Sequence, residues 1–160
     1  MQRWLGVFLI GILAVLPSFS YAKKPVYAYV VMDAANGHVL RSHNANVKTH
    51  PASLTKMMTA ILAFDELNRG QLRYSQKLTV SRNAANQKPG KLWLKAGSKI
   101  TVKDALYATL IKSSNDAAVV VGDAAAGRKG KMGTEKRCAE LMTKKARRFG
   151  MYRTFFKNAS

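Results

Sequence analysis

Helical periodicity dominates this chain from Ala52 onward, whereas only two short runs near its start read as strands, and that imbalance limits what the chain can fold into. Tyr27 to Met32 is β-branched and aromatic, and Val39 to Ser42 is a second short run. The gap between them holds Asp33-Ala34-Ala35-Asn36-Gly37, and Asn-Gly in so short a connection signals a hairpin. One hairpin does not make a stable sheet. Either further strands come from outside these residues or the chain is incomplete.

The helices are clearer. After a polar loop from His43 to Pro51, apolar residues at Leu54, Met57, Met58, Ile61, Leu62 and Leu67 recur mostly at intervals of three and four. They form one face of an amphipathic helix, which Asn68-Arg69-Gly70 ends. Leu78-Thr79-Val80 is a short extended piece, and Asn83 to Gly90 reads as a loop. Thr101-Val102-Lys103-Asp104 fits a capping box with Asp in place of Glu, opening a helix to about Ile111. Lys112-Ser113-Ser114 interrupts the pattern. Asn115 to Ala126 resumes it and is apolar on almost every side, as in a buried helix. Gly127 to Gly133 is a connector, and Thr134 to Phe149 reads as a last, strongly basic amphipathic helix.

The first residues change how the charge is read. Leu5 to Leu16 is an uncharged apolar run of 12 residues behind Arg3. It is shorter than the roughly 20 residues a spanning helix needs. Pro17 breaks it, and Ser20-Tyr21-Ala22 places small residues three and one before a cut after Ala22. Residues 1–22 therefore read as a secretory signal. The net charge of +19 on 160 residues falls only to +18 on the 138 residues from Lys23. A charge of that size points to a polyanionic partner. An exported protein meets little nucleic acid, so the expected setting is the periplasm or cell envelope and the alternative partner an anionic envelope surface. The tail from Arg128 to Lys157, with 11 Lys or Arg against Glu135 and Glu140, would face it or simply be solvated.

Two short motifs could carry chemistry. Ser53-Leu54-Thr55-Lys56 puts a hydroxyl and an amine three residues apart at a helix start, where both lie on one face. A lysine whose pKa is lowered can take the serine proton and make the hydroxyl a nucleophile. Alone the motif is weak, and a plain helix cap with a solvated lysine explains it as well. Ser113 and Asn115, in Lys112-Ser113-Ser114-Asn115, stand at the junction of two helices, from which side chains can project into a cleft. Both motifs in this order, each at a helix boundary, make chance a poor explanation.

With those residues in place the chain closely resembles the serine D-alanyl-D-alanine carboxypeptidases, the low-molecular-mass penicillin-binding proteins. The matching pieces are Asp33 to Leu40, Pro51 to Ala60, Ser113 to Ala118, Arg148 to Met151 and Thr154 to Ser160. In that superfamily Ser-x-x-Lys is joined by Ser-Asp-Asn and Lys-Thr-Gly. Here the second motif is Ser113-Ser114-Asn115. The third is missing: neither Lys-Thr-Gly nor Lys-Ser-Gly occurs between Asn115 and Ser160, where the nearest approach is Lys131-Met132-Gly133. The expectation is a truncated chain in which residues 23–160 are the first part of a catalytic domain.

The resemblance implies an α+β fold, a three-layer sandwich of an antiparallel sheet flanked by helices beside a helical lobe, with the later strands absent. It implies that Ser53 attacks the carbonyl between the last two D-alanines of a peptidoglycan stem peptide and that Lys56 takes its proton. Ser113 would relay a proton to the leaving amine, and Asn115 would bind the substrate amide and hold Lys56. β-Lactams would be covalent inhibitors, and no cofactor or metal is implied. With the second oxyanion donor and the carboxylate-gripping cation expected on the absent strand, the 160 residues are expected to have little or no activity. Still open are a β-lactamase or endopeptidase of the same scaffold, and a non-catalytic cationic protein that binds envelope polymers.

The remaining candidates are bland. His38, His43 and His50 read as surface histidines, Cys138 as a half-buried packing residue, and Trp93 with Leu94 as lining for the substrate cleft or, in the favoured reading, cover for the core. One cysteine excludes an internal disulfide and any multi-cysteine metal site.

Overall fold

The computed structural model describes residues 27–127 and 133–160. The expected signal segment, residues 1–22, lies outside the described residues, as do Lys131 and Met132 of the nearest Lys-Thr-Gly approach. The chain divides into two compact units, one ending at Val47 and one running from Lys48 to Ser160.

The described part of the first unit is the expected hairpin. Strands β1 (Tyr29–Met32) and β2 (Val39–His43) pair antiparallel, with Tyr29 opposite His43 and a bulge between Val31 and Met32. The connection is closed by backbone bonds from Asp33 N–H to the His38 carbonyl (2.8 Å) and from Gly37 N–H to the Asp33 carbonyl (2.9 Å). Gly37 takes φ +73, which explains the glycine there. The three histidines are exposed, and among the described residues no cluster of His, Cys, Asp or Glu could hold a metal ion.

The second unit is built around one helix. Its elements are α1 (Thr55–Asn68), β3 (Lys77–Thr79), α2 (Arg82–Ala85), β4 (Lys99–Thr101), α3 (Val102–Leu110), α4 (Asn115–Ala125) and α5 (Glu135–Arg148). Every residue of α4 from Asp116 to Ala125 is buried, and the helix packs against α1, α2, α3 and α5. The Ala/Val-rich sequence explains this: short side chains let four neighbours approach one rod, and each buried valine contributes about 1.5–3 kcal/mol. Val119, Val120 and Val121 meet Met58 and Leu62 from α1, Val102 and Leu106 from α3, and Met142 from α5 in one cluster. The Lys145 ammonium of α5 also pairs with the Asp65 carboxylate of α1 at 2.6 Å.

Four local readings are corrected. Lys99–Thr101 pairs antiparallel with Lys77–Thr79, so a second two-stranded sheet exists that three-residue strands are too short to announce. The stretch read as a loop from Asn83 begins with one turn of helix, because the Ser81 hydroxyl accepts from Ala84 N–H and caps it. Trp93 is not core: it is 70% exposed. Cys138 is fully buried, and burial beside Asp123 and Glu135 pushes its thiol up to about 12, so it is inert packing.

Large apolar side chains are exposed on the second unit, with Met57 of α1 59% and Ile111 at the end of α3 72% exposed. One buried carboxylate also weakens the body. Asp123 is 4% exposed, accepts from Ser81 Oγ at 3.0 Å through Oδ2, and has no partner for Oδ1 among the described residues. Burial, and secondarily the Glu135 charge, push it up to about 6 against the pull of Ser81. The folded chain thus holds this proton more tightly than the unfolded chain does. The resulting stability is present below about pH 4 and is lost as pH rises through about 6. Asp123→Asn is expected to raise stability by about 2 kcal/mol at pH 7.5 and by almost nothing at pH 4, read from thermal melts at both.

Candidate active site

Ser53 sits not on α1 but in the single 3-10 turn Ala52–Leu54 just before it, and it makes no cap bond to the helix. Its oxygen is therefore free for other partners. Ala52 holds φ +47, and the next turn carries Lys56 inward. Lys56 is only 3% exposed. The solvated lysine of the plain-cap explanation is thus ruled out.

The Lys56 ammonium donates to Ser53 Oγ at 3.1 Å and to Asn115 Oδ1 at 2.8 Å. Ser113 Oγ donates to Ser53 Oγ at 2.8 Å. All four residues singled out in the sequence, Ser53, Lys56, Ser113 and Asn115, are thus brought together from two helix boundaries about 60 residues apart. Among the described residues no carboxylate forms an ion pair with Lys56. Burial without a counter-charge lowers its pKa from the ordinary lysine value. Once neutral, its lone pair can accept the Ser53 hydroxyl proton along the same 3.1 Å contact.

The Asn115 amide is gripped at both ends. Its Oδ1 faces Lys56 while its Nδ2 donates to the carbonyls of Lys88 (3.3 Å) and Pro89 (3.1 Å). Its backbone N–H donates to the Gly90 carbonyl at 2.8 Å. Gly90 holds φ +88, which favours glycine there, and an added Cβ would be in ordinary contact with Asn115 Nδ2 at 3.5 Å. Ser53, Lys56, Lys88, Asn115 and Asn158 line a cleft of about 560 Å³. Asn158 is brought there by Thr59 Oγ1, which donates to the Ala159 carbonyl at 2.7 Å.

Ser113 holds φ +53, a left-handed conformation that costs a non-glycine residue about 1 kcal/mol. Ser113→Gly is expected to melt no lower than the parent chain, whereas Ser113→Val should lose about 1–2 kcal/mol. A Ser113→Gly melt well below the parent would show that no strain is stored there.

The residues that motif reading missed are Ser114 and Asp116 and the carbonyls of the 88–90 segment. Ser114-Asn115-Asp116 is a pattern of local side-chain hydrogen bonding at a helix start, and that was the one available signal. The backbone carbonyls left none.

Comparison with known proteins gives the family. The family model described as D-alanyl-D-alanine carboxypeptidase, of the S11 peptidases, matches residues 20–160. The chain is 33% identical over 170 aligned residues to the D-alanyl-D-alanine carboxypeptidase DacF of Bacillus subtilis, covering 99% of this chain and 42% of that protein. It is 31% identical to DacC of Escherichia coli, covering 81% of this chain and 32% of that one. Among solved structures, the D-alanyl-D-alanine carboxypeptidase DacD from Francisella tularensis superposes with a TM-score of 0.75 at 28% identity, covering all of this chain and 35% of the other. Penicillin-binding protein D2 of Listeria monocytogenes in its ampicillin-bound form gives 0.63 at 31% identity, covering 83% of this chain and 51% of that one. The chain thus spans less than half the length of the curated relatives it matches. The mixed α and β architecture, the Ser53, Lys56, Ser113 and Asn115 cluster and these matches place the chain in the D-alanyl-D-alanine carboxypeptidase family of the penicillin-binding proteins.

Proposed function

We propose that the chain is the first part, residues 23–160, of the catalytic domain of an exported serine-type D-alanyl-D-alanine carboxypeptidase acting on peptidoglycan stem peptides. The observation that carries the reading is the contact set at Ser53: a buried lysine at 3.1 Å and a second serine at 2.8 Å, with Asn115 on the lysine at 2.8 Å. Ser53 Oγ attacks the carbonyl carbon between the two D-alanines and passes its proton to neutral Lys56. The tetrahedral oxyanion takes one hydrogen bond from the Ser53 backbone N–H, and a lost donor of this kind costs a hundredfold or more in rate. The C–N bond then breaks, Ser113 relays a proton to the departing D-alanine amine, and water hydrolyses the Ser53 ester. Asn115 holds Lys56 through Oδ1, whose second lone pair remains to accept from a substrate amide N–H. β-Lactams acylate the same oxygen, and residues 1–22 direct export. Among the described residues no helix is long and apolar enough to cross a membrane.

The family's third motif, Lys-Thr-Gly, does not occur in these 160 residues. On this reading the chain alone releases little or no D-alanine, and appreciable release by purified chain would refute that. Joined to a strand bearing Lys-Thr-Gly, it should be labelled by a fluorescent penicillin at Ser53, with the label lost in Ser53→Ala. A label surviving in Ser53→Ala sinks the assignment.

A further inference from the structure

We propose that Asp116 is a positioning residue for this site: one buried carboxylate clasps the 92–94 segment and Ser114 together, setting both the aim of the Asn115 amide and the backbone of Ser113. The proposal rests on the hydrolase reading for its consequence and on geometry for its substance.

Asp116 is fully buried at the start of α4. Its Oδ1 accepts from Ser114 Oγ at 2.6 Å, Ala117 N–H at 2.8 Å and Leu92 N–H at 3.0 Å, and its Oδ2 accepts from Leu94 N–H at 3.0 Å. Burial pushes such a group up, but the Ser114 hydroxyl and the Leu94, Leu92 and Ala117 N–H groups outweigh it and hold the carboxyl below its ordinary value. A buried anion satisfied by the backbone of the 92–94 segment, by Ala117 N–H and by the Ser114 hydroxyl is a rigid joint, because any one of these donors leaving strands the charge.

Each arm of the joint ends on a site residue. The bonds to Leu92 and Leu94 fix the segment that continues back to Gly90, Pro89 and Lys88. The Lys88 and Pro89 carbonyls take both donors' worth of the Asn115 Nδ2 group, which leaves Oδ1 facing Lys56. The same pair of bonds turns Trp93 out to solvent at φ +60, a conformation a bulky residue adopts only when its neighbours are held. The other arm grips Ser114, the residue between Ser113 and Asn115. Holding Ser114 keeps Ser113 at φ +53, where its hydroxyl meets Ser53.

Asp116→Asn tests the clasp in the full 160-residue chain with 15N- and 13C-labelled lysine and asparagine. The amide oxygen can serve the side with three donors, so its NH2 faces Leu94 N–H and breaks that arm alone. The expected result is unchanged helical circular dichroism, Asn115 Nδ2 protons exchanging about tenfold faster or more, and a Lys56 titration midpoint lowered by about 0.5 pH unit or more. A folded variant with Asn115 exchange unchanged and a Lys56 midpoint within about 0.2 unit of the parent overturns the proposal. Should Asp116→Asn fail to fold, Ser114→Ala decides: it keeps the carboxylate and cuts the arm that holds Ser113, so with 13C-labelled serine the Ser113 and Ser53 signals should shift, and signals unchanged from the parent overturn the proposal equally. An ordinary lysine midpoint for Lys56 in the parent chain would count against the hydrolase reading alone, since Asn115 exchange still judges the clasp.

Discussion

Lys56→Ala is expected to slow acylation of Ser53 by about two to four orders of magnitude, the contribution of a positioned general base. The measurement is the rate of penicillin labelling in the chain joined to a Lys-Thr-Gly strand. The pH profile gives the sharper test. Burial lowers the Lys56 pKa, so the neutral form that can accept the Ser53 proton becomes available below the ordinary lysine range. The parent rate should therefore rise with pH and level off once Lys56 is neutral, and Lys56→Ala should lose that limb. Lys56→Arg should be as slow as Lys56→Ala, because a guanidinium stays protonated. A Lys56→Arg rate within about tenfold of the parent would remove Lys56 from the base role. Stability responds in the same window: the unfolded chain holds the Lys56 proton more tightly, so the folded state gains as pH rises from the lowered value to the ordinary one.

Gly122→Val should cost about 3 kcal/mol and lower the melting temperature by roughly 10 °C. A Cβ on Gly122 would stand 2.9 Å from Ala159 Cβ and 2.9 Å from Cys138 Sγ. Neither neighbour can yield cheaply. Ala159 is tied on both sides, its N–H to Glu135 Oε1 at 3.2 Å and its carbonyl to Thr59 Oγ1 at 2.7 Å. Cys138 lies fully buried on α5. To admit valine the 156–160 segment must lift, which also moves Asn158 out of the cleft. Gly122→Ala makes the cause plain: in an open helix it would stabilise by about 1 kcal/mol, so a lower melt there marks the contact and not propensity.

What could be read in the chain and what could not divide by the range of the forces involved. The hairpin at Asn36-Gly37, the helix end at Gly70, the cap at Thr101 and the helix from about Thr134 to Phe149 are decided within a few residues, and each stands where the pattern places it. The Thr101 hydroxyl accepts from Asp104 N–H at 3.0 Å, and the Thr134 hydroxyl from Arg137 N–H at 3.3 Å. The spacing of Ser53 and Lys56 was equally local. Strands β3 and β4 were not, since three residues carry no readable period and only their pairing makes them a sheet. Trp93 looked like core because its composition is apolar, and its exposure depends on two backbone bonds to a carboxylate more than 20 residues away.

The residues of Ser53, Lys56, Ser113 and Asn115 and their places at helix boundaries were determined by sequence alone, because helix starts and i, i+3 spacing are short-range facts. The tertiary structure decided what those side chains do. It buried Lys56 so that its proton is loosely held, set Asn115 between Lys56 and the 88–90 carbonyls, and aimed Ser113 at Ser53. Desolvation and hydrogen-bond direction arise from packing between distant segments, and no local pattern encodes them.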